Sequence, residues 1–259
     1  MRKLLVLLVL LPFASFARVP GFLSNIEIGY SFTTATASYR GAIPLYGSDG
    51  LFLYDTTVTK NARSKWGYGA FVGTYLPLKR LGEHASVGLS VNLMGNAYVW
   101  DDLLTGYSVT GEDVQLSSSG LGGITEQIVV PIGIDLKTGC NAVGVKNHRF
   151  TASVGAGVYP AVSVTIAEAG LADFGGGLAF SATPYVKAEV GIFGGICWKL
   201  RFMTSFGNVP LIDEQKSLLA GSDSGFLKVT GKTMSQFSIV IMPFSWCWKK
   251  EGWWNTANY

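Results

Sequence analysis

The chain has 259 residues, of which 48% are hydrophobic, 13% aromatic and only 14% charged, and it contains 33 glycines; an ordinary soluble domain is about 25% charged. Its formal net charge is +3, with two of the positive charges supplied by Arg2 and Lys3. This balance excludes an electrostatic argument for nucleic acid or a strongly acidic partner, and it points to an outer surface that faces something other than water.

The first stretch, MRKLLVLLVLLPFASFA (residues 1–17), reads as a signal peptide. Arg2 and Lys3 form a positive start, Leu4 to Leu11 an apolar run, and Ser15-Phe16-Ala17 places small residues where a signal peptidase reads. The run is shorter than the roughly 20 residues that span a bilayer as a helix. Export is therefore expected, and no cysteine follows the cleavage point to carry a lipid anchor.

Beyond it, hydrophobicity alternates with period two. Ile26, Ile28, Tyr30 and Phe32 alternate with Glu27, Gly29, Ser31 and Thr33. Val87, Leu89, Val91 and Leu93 alternate with Ser86, Gly88, Ser90 and Asn92. In 124–137, Ile124, Ile128, Val130, Ile132, Ile134 and Leu136 are set against Thr125, Gln127, Asp135 and Lys137. Val154, Val158, Val162, Val164 and Ile166 continue the pattern, and 178–192 is the longest clean case. Strands with one apolar face are predicted at 24–39, 64–78, 84–100, 121–137, 148–167, 178–193, 196–207 and 232–244. Near the last of them the apolar phase changes from odd to even positions, which predicts a bulge at Pro243.

The predicted connections alternate in length. Those at 40–63, 101–120, 168–177 and 208–231 are long and polar, while those at 79–83, 138–147 and Gly194-Gly195 are short. Long loops on one side and short turns on the other describe an all-β, antiparallel, transmembrane up-and-down β-barrel of about eight strands. An even strand count puts both termini on the short-turn, periplasmic side.

From about residue 24 to 244 this patterning resembles the small bacterial outer-membrane β-barrels, the OmpA/OmpX-like eight-stranded class. The resemblance rests on alternation rather than on a motif. It implies a signal peptide at 1–17, a barrel at 18–246 and a periplasmic tail at 247–259. It also implies residence in the cell outer membrane, with outer-membrane lipid and the barrel-assembly machinery as partners. Lipid-modifying members of this class carry their catalytic groups toward the outer leaflet. His84 and His148 both fall at periplasmic strand starts, so no catalytic residue is assigned. The spacing of histidines and cysteines suggests no metal site, and no cofactor is expected.

An eight-stranded barrel has a lumen that side chains can fill. The alternation turns Glu27, Gln127, Asp135, Lys137, Lys187, Glu189, Lys199 and Arg201 inward. A turn centred on Gly195 sets Glu189 opposite Arg201, either as a structural plug or as a gate. Interfacial aromatics are predicted at Trp66, Tyr68, Tyr98 and Trp100 on the outer side and at Trp198, Trp246 and Trp248 on the periplasmic side.

One tripeptide recurs: Cys197-Trp198-Lys199 and Cys247-Trp248-Lys249. Neighbouring strands bring both to the periplasmic rim, so a Cys197–Cys247 disulfide is expected in that oxidising compartment, with Cys140 left over. The expected function is a non-enzymatic outer-membrane barrel with a structural, adhesive or limited, porin-like solute-passage role. Two alternatives stand beside it: a transport or binding barrel for small hydrophobic compounds, and a soluble secreted β-sandwich adhesin. No extracellular or periplasmic protein partner is named by any motif.

Overall fold

A computed structural model describes residues 23–46, 52–106, 119–144, 148–169, 173–216 and 226–248. The predicted signal peptide and nearly all of the predicted tail lie outside these residues. Nine strand segments occur in them: β1 (Glu27–Tyr46), β2 (Phe52–Leu81), β3 (Ala85–Gly106), β4 (Ser119–Val129), β5 (Ile132–Gly139), β6 (Phe150–Ala169), β7 (Asp173–Gly194), β8 (Ile196–Lys216) and β9 (Phe226–Met242). All pairings are antiparallel. β1 pairs with both β2 and β9, and β2 pairs with β3, so one sheet closes on itself. A β-sandwich needs a second sheet to cover the apolar face, and none exists among the described residues; that alternative is excluded.

Nine segments make eight staves. β4 and β5 both lie between β3 and β6, one above the other. They are separated at Val130-Pro131, because proline has no N–H for the ladder. Flanking bonds bridge the break: Asn92 N–H donates to the Pro131 carbonyl (3.0 Å) and Val130 N–H to the Pro160 carbonyl (3.0 Å). Ile128 above the break and Ile132 below it both face outward, so the alternation runs through unchanged.

The barrel is inside-out relative to a soluble protein. Ile28, Tyr30, Phe32, Val72, Ile134, Val154, Phe180, Val190, Leu200 and Phe202 are exposed on the outer wall, while Glu27, Asp135, Lys187, Glu189 and Arg201 are buried within. Closure leaves the sheet without a free edge, which is what a sheet needs to sit in hydrocarbon.

The strands run further than the sequence predicts. β1, β2, β8 and β9 extend to Tyr46, from Phe52, to Lys216 and from Phe226, well into the predicted long loops. At and just beyond the predicted strand ends the described outward residues include Thr36, Arg40, Asn61, Arg63, Asn208 and Lys232, all exposed and polar. Alternation of Thr, Ser and Ala carries no apolar face to recognise, so these segments read as loop. The wall thus has an apolar band and, beyond it, a polar collar. At the opposite end β7 turns into β8 through Gly195 at φ 85°, a left-handed value that glycine adopts without strain.

Candidate functional site: a filled lumen with a sealed floor

Side chains fill the interior in layers. Highest, inside the polar collar, Ala35, Ala37, Ala62, Tyr98, Trp100, Val209, Leu211, Val229 and Met234 form one apolar cluster. Below it Phe71, Met94, Val129, Tyr159, Ala161, Tyr185, Met203 and Val240 form a second. Polar groups thread this second layer: Asn96 and Gln236 both donate to the Tyr159 hydroxyl (3.0 and 2.8 Å), and Gln127 donates to Ser163 Oγ (2.8 Å).

Next comes an ionic cluster whose charged members stand on four strands, β1, β5, β7 and β8. The β7–β8 register sets Glu189 opposite Arg201, and Arg201 Nε donates to Glu189 Oε1 at 2.6 Å. Arg201 also reaches Glu27 and, at 3.2 Å, Asn92 Oδ1. Lys199 bridges Glu27 and Glu189, the latter at 3.1 Å. Lys137 pairs with Glu27 (3.1 Å), and Lys187 pairs with Asp135 (2.7 Å) and Glu189 (3.6 Å). Ser153 donates to Glu189 Oε2 and Ser90 to Asp135 Oδ1, each at 3.0 Å. The Arg201 guanidinium lies 4.4 Å from the centre of the Phe71 ring, and Lys137 Nζ 4.1 Å from that of Tyr75.

Three carboxylates therefore meet four cations in a site closed to water. Burying one ion costs several kcal/mol unless partners and hydrogen bonds compensate it, and here every carboxylate has both. With Ser90 and Asn92 on β3 and Ser153 on β6, the arrangement locks six strand segments together and leaves none of its own carboxylates unpaired. All six predicted lumen charges, Glu27, Asp135, Lys187, Glu189, Lys199 and Arg201, lie in this cluster. Asn92, Ser90 and Ser153 occupy inward positions of the same alternation.

The floor is a plug that the sequence did not announce. After β5 the chain enters a short helix, α1 (Cys140–Val143), whose Cys140, Asn141 and Ala142 are fully buried. Ser86 Oγ donates to the Ala142 carbonyl at 2.7 Å, fastening α1 to β3. With its amide oxygen turned inward, Asn141 accepts from Lys137 and Lys199 (3.1 and 3.2 Å), joining floor to ionic cluster. The other half of the floor is the 3-10 turn Ser245–Cys247, where Ser245 Oγ receives the Cys197 N–H (2.7 Å) and donates to the Met242 carbonyl (2.7 Å).

This floor corrects three expectations. No disulfide joins Cys197 to Cys247, and all three cysteines are thiols. Cys197 instead packs with Cys140, Met242 and Trp248. β9 ends at Met242 and the chain turns at Pro243-Phe244, so the predicted bulge is a strand end and the phase does not carry to Cys247. For the same reason Trp248 is not at the interface; it is 4% exposed and stacks on Phe193 at 5.8 Å.

Two further aromatics move inward. Tyr98 and Trp100 are 0% and 1% exposed, and Trp100 Nε1 donates to Thr125 Oγ1 at 3.0 Å. They share the inward phase of Asn92, Met94 and Asn96 on β3, and strand periodicity prevails over the aromatic's interfacial preference. Trp66, Tyr68 and Trp198 are exposed on the wall, with Trp66 stacked on Tyr68 at 5.7 Å, and Trp246 is exposed in the turn after β9.

His84 and His148, far apart in sequence, have ring centroids 4.5 Å apart at the turn end, where Gly139 N–H donates to the His84 carbonyl (2.8 Å). On the outer wall, Tyr30, Tyr68, Ala70, Gly95, Glu126, Ile128 and Val164 line a groove of about 550 Å³. Glu126 stands there between the exposed Ile124 and Ile128. Its even position, in the phase of Ile124 and Ile128, is the signal in the sequence that turns it outward.

No protein-family model matches the chain, and no curated protein matches it. Among solved structures it is similar to the outer membrane protease OmpT from Escherichia coli, with 8% identity over 86% of this chain and 99% of that one, at a TM-score of 0.38. It is also similar to Ail, the attachment invasion locus protein of Yersinia pestis, solved with the heparin analogue sucrose octasulfate (11% identity, 82% and 99% covered, TM-score 0.29). Neisserial surface protein A is a third such structure (10% identity, 82% and 96% covered, TM-score 0.26). The likeness is to outer-membrane proteins. At these identities and scores it transfers no residue role and no activity.

Proposed function

We propose that the protein is a non-conducting, non-catalytic barrel of the bacterial outer membrane, whose work is structural or adhesive. The observation that carries this reading is the filled lumen: among the described residues, two apolar layers, an ion cluster and a floor made of α1 and the Ser245–Cys247 turn follow one another along the barrel interior. The exposed apolar band supports insertion in lipid. The polar collar supports a rigid rim that presents the outer connections to partners outside the cell. Outer-membrane lipid surrounds the band, and export by the N-terminal segment followed by barrel assembly would deliver the chain there. Limited solute passage is disfavoured by the same filling.

Reconstitution into planar bilayers tests it. No discrete conductance steps and no swelling of solute-loaded liposomes are expected; reproducible single-channel steps from folded protein would overturn the reading. Resistance to carbonate extraction, with a heat-modifiable gel mobility, is expected of the membrane form.

A second reading, binding of a small hydrophobic compound, is favoured only by the wall groove beside Glu126. Its site is on the lipid face, not in the lumen. Partition of a fluorescent fatty acyl probe that Gly95→Phe abolishes would support it.

A further inference from the structure

We propose that Cys140 and Cys197 are joined by a disulfide in the mature protein, stapling the floor helix α1 to the barrel wall. Both residues are fully buried, and they share one cluster with Met242 and Trp248. The backbones on either side are held independently: Ser86 grips α1 through the Ala142 carbonyl, and Ser245 grips the Cys197 N–H. Two cysteines packed in one buried cluster on separately fixed backbones are the setting in which the geometric demands of a disulfide can be met. Cys247, in the 3-10 turn beyond β9, is left as the third thiol.

The inference rests on the outer-membrane reading, which turns this floor toward an oxidising compartment. The oxidant is a disulfide-bearing molecule, such as oxidised glutathione or a thiol oxidase. The Cys140 thiolate attacks one of its sulfurs, expelling the other as a thiol that takes up the Cys140 proton. Cys197 then gives up its proton and attacks Cys140 Sγ, releasing the second oxidant sulfur as a thiol. Two protein thiols are oxidised and one external disulfide is reduced. Because both sulfurs are fully buried once α1 is seated, the exchange precedes docking of the floor. The finished bond is then shielded from reductant.

The test counts thiols in two preparations. One is protein recovered from the outer-membrane fraction of a Gram-negative host; the other is purified protein refolded from urea into detergent with reduced and oxidised glutathione. Each is denatured in SDS and treated with a maleimide polymer, with and without prior reduction. One label without reductant and three with it are expected, and peptide mapping should join the Cys140 and Cys197 segments. Cys247→Ser should lower the unreduced count to zero, whereas Cys140→Ser and Cys197→Ser should each raise it to two. Three labels without reductant in either preparation, or a Cys197–Cys247 link, would overturn the proposal. Accumulation in the host's soluble fraction would instead defeat the membrane reading, and the refolded protein would still decide the pairing.

Discussion

Arg201 Nε donates to Glu189 Oε1 at 2.6 Å, across a β7–β8 register that sets the two residues directly opposite. The same guanidinium reaches Glu27 on β1 and Asn92 on β3, so one side chain ties four staves together. Removing it leaves two buried carboxylates short of a partner. Arg201→Met should therefore destabilise the folded barrel by about 3–5 kcal/mol, the usual penalty for breaking a buried ion pair from one side. Urea unfolding in detergent micelles, followed by heat-modifiable mobility, measures it. A loss below 1 kcal/mol would mean the cluster is not the lock described here.

The edge of the apolar band can be located by charge. Val186 faces outward in the band, and Thr36 faces outward in the polar collar. Val186→Arg should cost about 2–4 kcal/mol if it lies near the bilayer midplane. Thr36→Arg should change stability by less than about 1 kcal/mol, as a substitution on a watered surface does. Equal costs in lipid vesicles would show that the collar is also immersed.

Tryptophan environments give an optical check on the inward aromatics. Single-tryptophan variants retaining Trp66 or Trp198 should be quenched by brominated lipid, because both side chains are exposed on the wall. The variant retaining Trp100 should resist brominated lipid and aqueous acrylamide alike. Strong lipid quenching of Trp100 would place it at the interface after all.

Glycines separate packing from permissiveness. A Cβ at Gly157 would lie 2.5 Å from the Gly133 Cα and closer still to the Ile132 carbonyl, both backbone atoms that cannot turn aside. Gly157→Ala should cost about 1–3 kcal/mol, in the range of other overpacked sites. Gly95 has nothing within 4 Å of its Cβ direction, and Gly95→Ala should be neutral within about 0.5 kcal/mol. Denaturant midpoints of the two variants in the same detergent decide this.

Period-two alternation by itself determined the antiparallel strands of the apolar band, their inside and outside faces, and the burial of the six charged residues from Glu27 to Arg201. It did so because a strand's side chains alternate strictly, and apolar-out with polar-in leaves a barrel wall as the consistent solution. The same rule, followed without exception, would have turned Tyr98 and Trp100 inward and Glu126 outward; residue-type preference obscured them. Only the tertiary structure decided the polar collar, where no apolar face marks the strand. It also decided the break at Val130-Pro131, the floor formed by α1, and the meeting of Cys140 with Cys197. These depend on where a turn folds after its strand has ended, and no periodicity in the chain encodes that. The repeated Cys-Trp-Lys suggested one cysteine pair, and the fold of the floor set Cys140 beside Cys197 instead.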